Sequence, residues 1–165
     1  GPDTPYARPF QRLGPFIDGL TQRMAAMLAI EHLGALEVLP DSNGYLHPTG
    51  RFEPAALFSP RTPALMDASY AMLKQVNAAP AFVLPSTEPG QEHTAGFGEV
   101  RYFQAAQPIP TLHYMTQPYY LLDHGIDTTT QLDYRLMQRQ ILALTQMLLD
   151  LSRVPSADLR KETAP

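Results

Sequence analysis

The stretch Ala25-Ala26-Met27-Leu28-Ala29-Ile30-Glu31-His32-Leu33-Gly34 decides the fold. Its apolar run is nearly continuous, has no polar face and stops at a glycine. Those features predict a buried strand of a mostly parallel sheet rather than an amphipathic helix. The run also delivers an acid, Glu31, at its C-terminal end. A second apolar strand, Ile109 to Met115, carries Leu112-His113-Tyr114 and leads into a loop, Gln117 to Thr130, that holds Tyr119, Tyr120, Asp123, His124 and Asp127. Strands that hand acids and histidines to the loops beyond them are how α/β proteins present catalytic groups or metal ligands on a rigid support.

The segments around these two runs alternate in kind. Residues 1–9 read as an arm, and Pro15 to Met24 as a helix with Phe16, Ile17 and Leu20 on one face. Ala35 to Val38 either extends the first strand or starts a turn. Asp41-Ser42-Asn43-Gly44 is a turn signal, and Tyr45 to Leu57 reads as a hairpin arm with irregular chain. Thr62-Pro63 has the form of an N-cap followed by proline at the first helical position. The helix beyond it repeats Leu65, Ala68, Ser69, Met72, Leu73 and Val76. Ala81 to Leu84 is a short strand, Ser86 to Gly98 a long loop, and Val100 to Gln107 a short helix. The clearest element is Leu132 to Leu151, with Leu132, Leu136, Ile141, Leu144, Leu148 and Leu151 as its apolar stripe and Thr130 as its cap. Ser156 to Pro165 reads as a polar tail that frays. The order predicts an α/β fold: a partial three-layer sandwich whose mostly parallel or mixed sheet has flanking helices. Its divisions are an N-terminal arm and short helix over 1–23, an α/β domain over 24–152, and a flexible tail over 153–165.

Composition narrows the function. The chain has 165 residues, 44% of them hydrophobic, enough for a core. Charged residues make up 17%, below the roughly 25% of an ordinary soluble domain, which points to a surface that something covers. Net charge is −4 with no basic block, which argues against nucleic acid as a partner. There are no cysteines, so disulfides, thiolate catalysis and cysteine zinc sites are excluded. No apolar run reaches the roughly 18 residues of a membrane span. The opening Gly1-Pro2 reads as a protease-cleaved tag scar, so the N-terminus does not indicate the compartment, secreted and periplasmic settings included. The 17 prolines avoid both helical segments, 64–79 and 134–152, and so punctuate a globular fold.

Each candidate residue has a functional and an ordinary reading. Glu31 either binds a metal or pairs with an arginine at the sheet end. His124, between Asp123 and Asp127, is a ligand with carboxylates behind it or an exposed loop histidine. His113, inside an apolar strand, reads as a hydrogen-bonded core histidine. Glu92-His93 reads as a loop pair and His47 as solvent-exposed. Glu99 is a helix-start acid or a substrate contact. Tyr114, Tyr119 and Tyr120 are packing or interface residues or line a pocket. No Gly-x-Ser-x-Gly elbow, phosphate-binding glycine loop or His-Glu-x-x-His helix is present.

The order of these pieces resembles the zinc-dependent exopeptidases that include the double-zinc aminopeptidases and the glutaminyl cyclases. In that family a strand ends in an apolar-Asp-Met-Ile-Gly pattern whose acid binds zinc; Ile30-Glu31-His32-Leu33-Gly34 is similar. Gln107-Pro108-Ile109-Pro110 stands where the family has a Gly-Ile-Pro-like turn. Leu112-His113-Tyr114, His124, Asp127, Leu132-Asp133 and the 134–152 helix follow the family's last strand, zinc-binding histidine, aspartates and final helix. The resemblance spans residues 24–152. It implies Glu31 and His124 as zinc ligands, with Glu99, Tyr119 and Tyr120 shaping the pocket for a peptide substrate. In the family, zinc activates water for attack on an amide and polarises its carbonyl.

The family's His-x-Asp pair, bridging aspartate and adjacent glutamates have no counterpart before Glu31, and Gly98-Glu99-Val100 replaces the family's Ser-Asp-His-like pattern. Two ligands fall short of the three protein ligands of catalytic zinc. The expectation is therefore the C-terminal portion of a zinc metallopeptidase, an aminopeptidase-like hydrolase, that is inactive alone. The alternative is a non-catalytic protein-binding or assembly module on the same fold. Half a sheet leaves an open strand edge, so a homo-oligomer or a complementing N-terminal segment is the expected partner.

Overall fold

The computed structural model describes residues 23–86, 109–118 and 125–160, with Gly19, Val100 and Tyr120 as isolated positions. Six strands and three helices follow one another along the described chain. They are β1 (Met27–Ile30), β2 (Leu36–Pro40), β3 (Leu46–Phe52), β4 (Ala55–Ser59), α1 (Pro63–Val76), β5 (Ala81–Pro85), β6 (Thr111–Thr116), α2 (Tyr134–Leu151) and α3 (Ser156–Leu159), with one 3-10 turn at Thr129–Gln131 before α2.

Four strands form one sheet in the order β1-β6-β4-β5. β1 runs parallel to β6 and β5 parallel to β4, while β6 and β4 are antiparallel, so the sheet is mixed. Register and alternation sort the side chains onto two faces. Leu28, Leu112, Tyr114, Leu57 and Ala55 share the face that packs on α1 and α2. His113 pairs in register with Ala29 and Phe58 and occupies the other face with Thr111 and Met115. Every residue of β6 is buried, as a strand covered on both faces requires. β2 and β3 form a separate antiparallel hairpin closed by the Asp41–Tyr45 turn, where the Asp41 carboxylate accepts from the backbone of Asn43 and Tyr45.

The α/β class holds, and several details differ from the sequence expectation. β4 is a central strand where irregular chain was expected, because Ala55-Ala56-Leu57-Phe58-Ser59 is too uniformly buried to alternate. The first strand is shorter than its apolar run and lies at an edge of the sheet, with Ile30 exposed. The cap of α2 is Asp133, whose Oδ1 accepts from the Leu136 amide at 2.7 Å; Thr130 lies in the preceding 3-10 turn. The buried stripe of α2 is Leu136, Gln140, Ala143, Leu144, Met147 and Leu151, whereas Ile141 and Leu148 face outward. Residues 156–159 are helical and Leu159 joins the core, so the expected tail begins with a packed turn. In α1, Thr62 takes the N-cap position ahead of Pro63 as expected, though its side chain makes no capping bond, and Asn77 closes the helix in the left-handed region. The helices expected at 15–24 and 100–107 fall mostly outside the described residues.

Gly34 joins the first strand's turn to α2. Its amide donates to Gln140 Oε1 at 2.7 Å, and its carbonyl accepts from the Asp133 amide at 2.8 Å. Its φ is +75°, and a Cβ there would stand 2.9 Å from the Asp133 carbonyl oxygen and 2.9 Å from the Met137 Cβ. Both the backbone conformation and the close approach require glycine. Gly34→Ala should therefore destabilise the fold by about 2–4 kcal/mol, measured as a lower urea midpoint at unchanged m-value.

Candidate functional site

β1 and β6 end side by side, and their ladder extends one step further as the Glu31 amide donates to the Tyr114 carbonyl at 2.9 Å. That places the Glu31 side chain on the same sheet face as His113, and His113 Nε2 lies 2.8 Å from Glu31 Oε1. The imidazole is fully buried, while the carboxylate is half-buried. The chain thus brings together an acid and a histidine that are 82 positions apart. His113 is the hydrogen-bonded core histidine its strand predicts, and among the described residues Glu31 pairs with this imidazole and with no arginine. The second carboxylate oxygen of Glu31 meets no donor among the described residues.

His32 is the residue that sequence reasoning passed over. Its φ is +57°, a region in which a non-glycine side chain costs about 1–3 kcal/mol. Two reciprocal bonds to the end of β6 hold it there. His32 Nδ1 lies 2.8 Å from the Thr116 carbonyl, and the Thr116 hydroxyl donates to the His32 carbonyl at 2.8 Å. A carbonyl only accepts, so Nδ1 carries the proton of this bond. Nothing in the spacing of His32 announces this; it follows from a backbone angle.

The remaining candidates separate. His124, Glu99, Tyr119 and Glu92-His93 lie outside the described residues. Tyr120 is buried, with its hydroxyl donating to the Gln131 carbonyl at 3.2 Å. Tyr114 is buried too, and its hydroxyl accepts from Gln140 Nε2 at 2.6 Å; burial pushes that hydroxyl up to about 12, against the pull of Gln140. His47 is exposed and pairs with Asp41 at 3.0 Å.

Zinc can be tested against these side chains. Glu31 has the donor chemistry of one zinc ligand, and His113 acts as the partner that orients it. Among the described residues no group of three His, Asp or Glu side chains could hold a metal ion.

A separate acidic region lies where the hairpin meets β4. Burial, reinforced by the Glu37 carboxylate, pushes Glu53 up to about 7. Glu37 itself is held below the usual carboxylate range by the Thr49 hydroxyl and the Arg51 guanidinium, 2.6 Å away in each case. Burial, with Glu53 and Asp127 nearby, raises the Tyr120 hydroxyl.

No known protein family, curated protein or solved structure matches the chain. No described helix is long and apolar enough to cross a membrane. The fold and the paired residues therefore define a class, a mixed α/β protein with a carboxylate–imidazole pair at the end of a parallel strand pair.

Two outcomes follow from these geometries. Glu31→Ala leaves the buried Nε2 of His113 without its acceptor and should cost about 1–3 kcal/mol, with Glu31→Gln recovering most of it through its amide oxygen; urea denaturation of the two variants checks this. Glu53 holds its proton in the folded state up to about pH 7 and in the unfolded chain only to the ordinary value of 4.5. Its contribution to stability is complete below the lower value and is lost as pH rises through the upper one. Stability should fall by about 1–2 kcal/mol across that window, after allowance for solvent screening, and Glu53→Gln should flatten the profile.

Proposed function

We propose that this chain is the C-terminal portion of a zinc metallopeptidase, an aminopeptidase-like amide hydrolase whose remaining ligands and general base lie outside the residues seen here. The observation that carries the reading is the Glu31–His113 pair at the C-terminal ends of β1 and β6. A ligating carboxylate must be held in one orientation, and a buried imidazole bonded to one of its oxygens does that while leaving the other oxygen for a cation. His124 is the second ligand of this reading, and Glu99 and Tyr119 its pocket residues. In the complete enzyme, zinc would lower the pKa of a bound water and polarise the scissile carbonyl.

The alternative, a non-catalytic assembly module on the same fold, is favoured by the apolar outer face of α2, where Ile141, Leu142, Leu148 and Leu149 are exposed.

Calorimetric zinc titration of the chain, with an aminopeptidase assay in parallel, tests the proposal. The chain alone should neither bind zinc tightly nor turn over substrate. A longer chain that adds a His-x-Asp segment and a Glu-Glu pair upstream should do both, and should lose zinc at one site on Glu31→Ala. Full zinc content and turnover in that variant would refute the assignment.

A further inference from the structure

We propose that the outer face of α2 is a two-fold interface with a second copy of this chain, the two helices crossing antiparallel at Thr145. This goes beyond the zinc reading and does not depend on it. The helix buries one side in the core, yet its exposed side is not uniformly polar. At about 100° per residue, Leu148, Ile141, Tyr134, Thr145, Gln138, Leu149 and Leu142 form one continuous exposed strip beside the buried stripe, apolar but for Thr145 and Gln138. The exposed charged residues Arg135, Arg139, Asp150 and Arg153 crowd into the narrow sector that remains. A helix apolar over so much of its circumference belongs in an interior.

The occupant follows from the strip's own symmetry. Tyr134, Gln138, Ile141, Thr145, Leu148 and Ser152 recur at alternating intervals of four and three, the spacing of a helix–helix seam. A two-fold through Thr145 sets Ile141 against Leu148 on one side of the axis, Leu142 against Leu149 on the other, and Gln138 against Ser152 at the ends. The four aliphatic side chains Ile141, Leu142, Leu148 and Leu149 then meet one another, and Gln138 meets Ser152 at each end. A surface that complements itself under such an operation is what an isologous dimer requires. Asp150 already pairs with Arg153 of its own chain at 3.2 Å, and Arg139 lies over the Phe52 ring, so the flanking charges have partners away from the seam.

The area suffices. Tyr134, Ile141, Leu142, Leu148 and Leu149 are 62%, 47%, 58%, 48% and 50% exposed. At roughly 100 Å² apiece these side chains offer about 500 Å² per copy, or about 1,000 Å² across a pair, the lower bound for a specific interface.

The chain contains no cysteine, so a single introduced thiol reports its own neighbour. Thr145→Cys should cross-link to a dimer under mild oxidation at micromolar concentration, because a residue on the two-fold meets its own copy within disulfide reach. Asn43→Cys, in the hairpin turn, should not. Light scattering should give twice 18.3 kDa, reduced to 18.3 kDa by Leu142→Glu with Leu149→Glu, with the helical circular dichroism unchanged. A monomer at tens of micromolar overturns the inference. So does a dimer that the glutamates leave intact, or one that cross-links through Leu84→Cys on the sheet edge and not through Thr145→Cys.

Discussion

The side chain of Gln140 holds three elements in one arrangement. It accepts from the Gly34 amide and donates to the Tyr114 hydroxyl, in a position almost closed to solvent. Gly34 ends the turn after β1, Tyr114 belongs to the central strand β6, and Gln140 sits in the first half of α2. A buried amide must satisfy both its oxygen and its nitrogen, and here only one register of helix against sheet does so. Asp133 strengthens the same junction: it binds the Gly34 carbonyl through its amide and caps α2 through its carboxylate. The position of Glu31, three residues before Gly34, depends on this lock. Loss of the glycine would move the carboxylate as well as strain the turn.

The Glu31–His113 pair shows how the fold makes chemistry from unexceptional residues. Neither side chain is unusual in its own segment. Parallel pairing sets Ala29 beside His113, and two-residue alternation brings Glu31 to the same face one step later. The buried imidazole donates to one carboxylate oxygen of the partly exposed acid. His32 is held against Thr116 by two reciprocal bonds at the same end of the sheet. The groups are preorganised by strand ends and not by loop contacts, which is the more rigid of the two supports.

What the sequence made legible follows from which signals are local. Pro63 and the Leu65–Val76 spacing announce α1, and the Asp41 turn announces the hairpin, because each is encoded within a few residues. β4 was hidden because burial on both faces removes alternation from Ala55 to Ser59, and Pro54 before it resembles loop punctuation. Gln140 was hidden for the opposite reason: a polar residue inside an apolar stripe reads as surface until its two partners, 106 and 26 positions away, are known. Glu31 was legible as a strand-end acid, whereas its partner could be found only from the register of β1 on β6.

Ile141 and Leu148 are the most instructive departure. Their spacing with Leu144 and Leu151 fits a single core stripe, and the structure divides that stripe between two surfaces. A helix that served only its own core would keep leucine on one side. The low share of charged residues in the chain has the same cause at larger scale, since apolar side chains on α2 occupy positions where a solvent-facing helix would carry lysine or glutamate. Composition therefore registered an exposed apolar face that periodicity assigned to the core. The two signals agree once α2 is read as a helix with one apolar face turned to its own sheet and another turned outward.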